Sequence, residues 1–196
     1  MTDPTSPLAG VRVLDAASFI AGPLAGSLLA DLGADVVKLE LQGGDPLRRI
    51  GGVLDDGISA TFAFANRGKR GVALDPAEED DRAQLARLVS ASSVVIHNQR
   101  PASAARLGLD AAPVVVEISA FGGDGPYANR PALDPIVQAM SGIVALTGEP
   151  EGEPRRAAAP VVDVAAALTA AFGALATLRE HERSGESNLV TVSLCE

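Results

Sequence analysis

A single carboxylate, Asp163, stands between a short apolar run and a long alanine-rich one in RRAAAPVVDVAAALTAAFGALATLREHERSG, residues 155–185. Its type allows two different jobs. At a helix N-terminus it would accept backbone N–H bonds as an N-cap, and the helix dipole would keep it permanently ionised. The same ionised, oriented group could attack an activated acyl carbon and form an anhydride, which is covalent catalysis by a carboxylate. Residue type alone leaves both open. Arg100 and Arg106 flank the segment PASAA; two cations there suggest a bound anion, or simply a solvated helix. Arg67, Lys69 and Arg70 in NRGKRG suit a nucleotide phosphate and equally suit an ordinary turn. The two histidines, His97 and His181, have no spacing that fits a metal site or a Ser-His-Asp arrangement. Both read as structural, with His181 complementing the dipole of the long helix.

These groups need elements to hold them. Residues 11–17 read as a strand, and 22–34 as a helix with Pro23 at its first position, a stripe of Leu24, Leu28, Leu29 and Leu32, and Gly33 as its stop. Further strands are expected at 35–40, 72–75, 93–98, 113–119 and 188–194, with loops at 43–52, 65–71 and 120–133. Asp75, Pro76 and Glu78 predict a helix running to about Ser90, with Asp75 as its cap. A short helix follows at 134–142, capped by Asp134, and a long one runs from about Asp163 to Arg183. Strand and helix alternate, and the strands are continuous apolar runs. That pattern predicts an α/β fold: a Rossmann-like, doubly wound, mostly parallel sheet with helices on both faces. In such a sheet AGPLAG (21–26) could hold a phosphate at a helix N-terminus. It is not the dinucleotide fingerprint G-x-G-x-x-G, and Pro23 removes a donor. Glu40 does end the second strand, where a ribose-binding acid would sit, but a tight turn packing a helix on a sheet explains the segment as well.

Composition narrows the class. Apolar residues make up 47% and charged residues 21%, enough for a real core in one domain over 1–196. With five Phe, one Tyr and no Trp, that core must be built from Ala, Val and Leu. The net charge of −9 argues against nucleic acid as a partner. One cysteine, Cys195, allows no internal disulfide and no Cys-based zinc site, so a reducing cytoplasm is the expected home. The opening MTDPTSPLAG lacks the pattern of a signal peptide. No uninterrupted apolar run reaches the ~18 residues a membrane span needs. The richest stretch, 157–178, carries Asp163 and reads as a buried helix rather than a span.

The order of several blocks is more specific than any of these signals. PLAGVRVLDAASFIAGPLAGSLLADLGADVVKLE, NRGKRGVALD, RPASAARLGL, GDGPYANRPALDPIVQAMSG, LTGEP and the terminal VVDVAAALTAAFGALATLREHERSGESNLVTVSL resemble the family III CoA-transferases. That group includes carnitine CoA-transferase, formyl-CoA transferase and the alpha-methylacyl-CoA racemases. The resemblance covers residues 7–195 and only the first half of the family's usual length. It implies a CoA-binding domain in an interlocked dimer, with acyl-CoA and a carboxylic acid as substrates and no metal. It implies that Asp163 is the nucleophile, passing through an aspartyl anhydride and an aspartyl-CoA thioester. The implied coenzyme contacts are Ala21, Leu41, Leu74, Asn98, Gln99, Arg100 and Arg106, with Ala21 and Leu74 at the adenine end and the two arginines on phosphates.

Four departures qualify what the resemblance implies. The position after Glu40 is often basic in the family and is Leu41 here, so one phosphate contact is missing. The racemases carry a His before the acid of the RPALD block; here Leu133 precedes Asp134, which leaves a two-base proton exchange without one partner. Only DAAPV separates RLGL from the fifth strand where a helix is usual, which predicts a rebuilt sheet edge. The family's second domain is absent. The expected reading is therefore a CoA-transferase acting as one part of a homo- or hetero-oligomer, with a second subunit supplying the missing half. The alternatives are a non-catalytic CoA-binding or structural subunit and, disfavoured by Leu133, an alpha-methylacyl-CoA racemase.

Overall fold

In the computed structural model, residues 4–55, 57–128 and 130–196 are described. Met1–Asp3, Asp56 and Asn129 lie outside the described residues, and with them the opening of the N-terminal segment and one position of the 120–133 loop.

Continuous apolar runs become strands, buried on both faces in the middle of the sheet and more exposed at its two edges. They are β1 (Arg12–Asp15), β2 (Asp35–Leu41), β3 (Arg70–Leu74), β4 (Val94–His97), β5 (Val114–Ser119) and β6 (Asn188–Ser193). The sheet order is β3-β2-β1-β4-β5-β6, and every pairing is parallel. This is the α/β doubly wound architecture that the alternation predicts. The winding reverses between β1 and β4, where loops leave the sheet in opposite directions and open a crevice at the carboxyl ends of the strands.

Helices α1 (Ala21–Asp31) and α7 (Val161–Ser184) cover one face. Val13, Val36, Ile96, Val116 and Val192 from the strands meet Leu24, Leu29, Ala167, Ala170 and Ala174 from those helices. The other face is closed by α3 (Glu79–Ala91) and α4 (Pro101–Leu107), through Leu85, Val89, Ala104 and Leu107 against Leu14, Leu39, Val95 and Val115. By length and composition α7 could cross a bilayer, yet here its alanines let it lie close against α1 and the sheet.

Several boundaries differ from the sequence reading. Helices α2 (Ala60–Ala65) and α6 (Ile143–Leu146) form where no element is expected. Each is under two turns long, too short for a periodic signal. Helix α3 starts at Glu79, not at Asp75. Asp75 instead caps a turn, accepting from Ala77 N at 3.0 Å, while Asp81 reaches back to Asp75 N at 2.7 Å. Acids at 79–81 then sit in the first turn, where the dipole favours them. The shortened DAAPV region does not rebuild an edge. A left-handed Gly108 ends α4, a 3-10 turn at Leu109–Ala111 follows, and β5 pairs on both sides. The edges are β3 and β6.

The turn from β1 into α1 is a tight junction. A Cβ on Gly22 would overlap the Ala17 side chain, a stub that cannot rotate away. Gly22→Ala is expected to cost about 1–3 kcal/mol by overpacking, a fall of roughly 3–10 °C in Tm by calorimetry. Gly71→Ala, where open space surrounds the new methyl, is the control and should leave Tm nearly unchanged.

Candidate active site

Two clefts open along the carboxyl edge of the sheet. The first, of about 380 Å³, lies at the switch point. It is lined by Ser18, Phe19 and Ala21 after β1, by Asn98, Gln99 and Arg100 after β4, by the end of β5, and by Asp163. The second, of about 460 Å³, lies at the tips of β2 and β3 and includes Leu41 and Leu74. Strand spacing of ~4.8 Å puts the two clefts on the order of 15 Å apart.

Asp163 reaches the first cleft because another residue caps its helix. Helix α7 begins two residues before Asp163, with Pro160 at the N-cap, so Asp163 lies in the first turn and its carboxylate accepts no capping bond. The orphaned amides go to Asp134, whose Oδ2 accepts from Val162 N at 2.8 Å and from Asp163 N at 3.2 Å. Asp134 is the first residue of α5 (Asp134–Met140) and does not cap that helix, contrary to the sequence reading. Gln138, one turn on, donates to Asp134 Oδ1 and accepts from Ala157 N at 2.9 Å. The fully buried pair thus clamps the chain leading into α7.

The charge of Asp163 also differs from expectation. Burial, and then the negative Asp134 beside it, raise its pKa to about 6. The helix dipole does not keep it ionised at every pH; it titrates near neutrality.

A buried ionic cluster shapes the cleft wall. Lys69 Nζ donates to Asp15 Oδ2 at 2.7 Å, to Asn66 Oδ1 at 3.0 Å and to the carbonyls of Pro23 and Ala65 at 2.6 and 3.0 Å. Lys38 sits 3.1 Å from Asp45 and 3.8 Å from Asp15, and donates to Ala17 O. Burial alone would push Asp15 up, but Lys38 and Lys69 hold its carboxyl below the usual range. Burial lowers the ammonium of Lys69 despite Asp15. Asp45 Oδ1 accepts from Phe19 N at 3.2 Å, and Phe19 has φ +67, a strained value for a side chain of its size. Ser18 and Asn98 exchange hydrogen bonds at 3.0 and 2.9 Å across the switch point. The network therefore fixes an unfavourable turn as the cleft's wall.

Of the expected site residues, Ala21, Asn98, Gln99, Arg100 and Asp163 share the first cleft. Leu41 and Leu74 share the second. Ala21 and Leu74, both assigned to the adenine end by the sequence reading, thus line different clefts. Arg106 lines neither cleft; it is exposed on the last turn of α4. The NRGKRG cations are structural: Lys69 is buried in the cluster, while Arg67 and Arg70 pair with Asp31 and Asp35. His97 is buried outside both clefts, 3.7 Å from Asp110, and burial lowers its pKa. Sequence reasoning leaves out Ser18, Phe19 and Arg130 of the first cleft and Arg48 of the second.

A family model described as CoA-transferase family III matches residues 8–196. The chain belongs to CoA-transferase family III. The probable fatty acyl-CoA transferase Rv3272 of Mycobacterium tuberculosis is 36% identical, over 98% of this chain and 52% of that protein. The succinate–glutarate CoA-transferase of Agrobacterium fabrum is 38% identical, over 97% of this chain and 51% of that protein. A crystal structure of a CAIB/BAIF family protein from Brucella suis superposes with a TM-score of 0.90 at 34% identity, covering 97% of this chain and 53% of that one. The chain spans about half the length of the curated relatives it matches.

In this family III chain, Leu133 lies on the wall of the Asp163 cleft, half exposed. A second base placed there would face the same space, and leucine cannot supply one.

The raised pKa has a thermodynamic signature. Between pH about 4 and 6 the folded chain keeps a proton that the unfolded chain releases, so stability falls as pH rises through that window. Asp163→Asn should flatten this slope and raise stability at pH 7, by up to about 3 kcal/mol, read from thermal unfolding against pH. Asp134→Asn keeps an acceptor oxygen for the helix amides and removes the charge. The Asp163 carboxyl should then titrate below 6, followed by carbon NMR.

Proposed function

We propose that this chain forms the coenzyme-binding and nucleophile-bearing part of a CoA-transferase. Its 1–196 region acts as one CoA-binding domain, and it moves CoA from an acyl-CoA donor to a carboxylic acid. One observation carries the reading. In a family III chain, the carboxylate of Asp163 is relieved of capping by Asp134 and faces a cleft at the carboxyl edge of a doubly wound sheet.

The chemistry follows from that carboxylate. Its oxygen attacks the donor thioester carbonyl, the C–S bond breaks, and an aspartyl acyl anhydride and CoA thiolate result. The thiolate attacks the aspartyl carbonyl, releasing the donor's carboxylate and leaving an aspartyl-CoA thioester. The acceptor carboxylate attacks that thioester, giving a new anhydride and thiolate. Thiolate attack on the acceptor's acyl carbon then forms the new acyl-CoA and frees Asp163. Each step exchanges one activated acyl bond for another, so no nucleotide hydrolysis is required.

The coenzyme would lie along the sheet edge. Its adenosine would meet Leu41 and Leu74 in the second cleft, and its thioester would reach Asp163 past Ala21, Asn98 and Gln99. Arg100, in the first cleft, would serve the pyrophosphate or the acceptor's carboxylate. Relatives named as the beta and alpha subunits of a succinyl-CoA–L-malate CoA-transferase, 34% and 35% identical, support a partner subunit that completes the substrate pocket and the oligomer. A partner subunit also allows a second reading, in which this chain binds CoA without catalysis and the partner carries the chemistry.

Trapping separates the two. With acetyl-CoA or succinyl-CoA and hydroxylamine, mass spectrometry should find a hydroxamate at residue 163, absent from Asp163→Asn. Labelling should weaken below pH about 6, as the carboxyl protonates. CoA binding with no hydroxamate on Asp163 would give the second reading its support.

A further inference from the structure

We infer that the cleft at the tips of β2 and β3 seats the adenosine of coenzyme A without reading its 3′-phosphate, so that dephospho-CoA thioesters serve this chain as well as CoA thioesters. The inference rests on the coenzyme reading above. The floor of the cleft is apolar: Leu41 and Leu74 lie side by side in register at the ends of their strands. Its rim carries the carboxylates of Glu40, Asp75 and Asp81 against one guanidinium, that of Arg48.

That guanidinium is already engaged. Arg48 grips Glu40 with two bonds, Nη2 to Oε1 at 2.5 Å and Nε to Oε2 at 2.7 Å, and its Cζ lies 4.0 Å from the centre of the Phe62 ring. The pairing shifts both groups towards their charged forms: Arg48 holds Glu40 below the usual range, and Glu40 raises Arg48. Glu40 Oε2 also accepts from Asp45 N at 2.9 Å. The nearby lysines offer nothing, because Lys38 and Lys69 are buried and paired beneath the β1–α1 turn. Arg100 lines the other cleft and Arg106 lines neither. Among the described residues, the cleft lining therefore holds no cation left over for a phosphate.

A phosphate monoester carries a charge between about −1.5 and −2 at neutral pH. With Glu40 matched by Arg48, a phosphate set here would still face the carboxylates of Asp75 and Asp81, and like charges brought together oppose binding. A ribose hydroxyl at the same place meets the opposite situation, because it can donate to an acid at the end of β2. The nucleoside is thus accepted by stacking space and hydroxyl contacts, with its 3′ substituent left to solvent.

Isothermal titration of the chain with CoA and with dephospho-CoA, at one salt concentration, tests this. The two dissociation constants should agree within about threefold. Leu41→Arg puts a guanidinium on the floor and should favour CoA by about tenfold or more. An unmodified chain that binds CoA more than about threefold tighter overturns the inference. So does a Leu41→Arg protein that binds both and still fails to discriminate, since the 3′ end then lies elsewhere. Failure of both ligands to bind is a distinct result: it removes the coenzyme reading, and the inference falls with it.

Discussion

The N-terminus of α7 presents amides with no partner inside the helix, and the fold answers them with a side chain from elsewhere. Asp134 takes two of them. Three things depend on that choice. The short helix α5 must sit against the start of α7. The approach segment is tied down through Gln138, which holds Ala157 N and also donates to Ala159 O at 3.4 Å. Asp163 is left with its carboxylate free of backbone duty. Had Asp163 capped its own helix, its oxygens would have been spent on amides and turned from the cleft.

The chain uses buried acids in two opposed ways. Asp15 is sealed beneath the β1–α1 turn with two ammonium groups for company, and its charge is fixed. Asp163 is partly sealed with another acid for company, and its charge is held near the point of release. The difference lies in the neighbours rather than in depth. Burying four charges to shape a turn is costly unless every one is matched. The match here comes from β1, β2, the loop after β2 and the loop before β3, so the strained Phe19 backbone is secured from several parts of the sequence at once.

The architecture was legible because parallel strands buried on both faces leave a plain mark: unbroken runs such as VVIH and VVVEIS. Long helices with stripes and stops were legible too. The capping was not. Asp134 and Asp163 each stand where a cap residue usually stands, and local pattern assigns each to its own helix. Only the fold reveals that one caps the other's helix across 29 residues of sequence. The role of the NRGKRG cations stayed open for a related reason: a lysine looks the same in sequence whether it meets phosphate or a buried aspartate. Cleft membership was partly legible, since the β4–α4 turn follows directly from the strand. Arg106 is the exception, because a further turn and a half of helix carries it away from the rim.

The outermost strand has a consequence for how the chain assembles. β6 is hydrogen-bonded only to β5, and the register joins Val114 to Asn188 and Ser119 to Ser193. Everything between them, including α5 and α7, must be synthesised before that edge can close. Until then β5 has one partner and a bare flank, and the alanine face of α7 has no complete sheet to lie on. Contacts so distant along the chain make for slow folding and a high contact order. During translation the first five strands can therefore dock early, while the last ladder waits and the half-finished edge stays open to chaperones or to wrong partners.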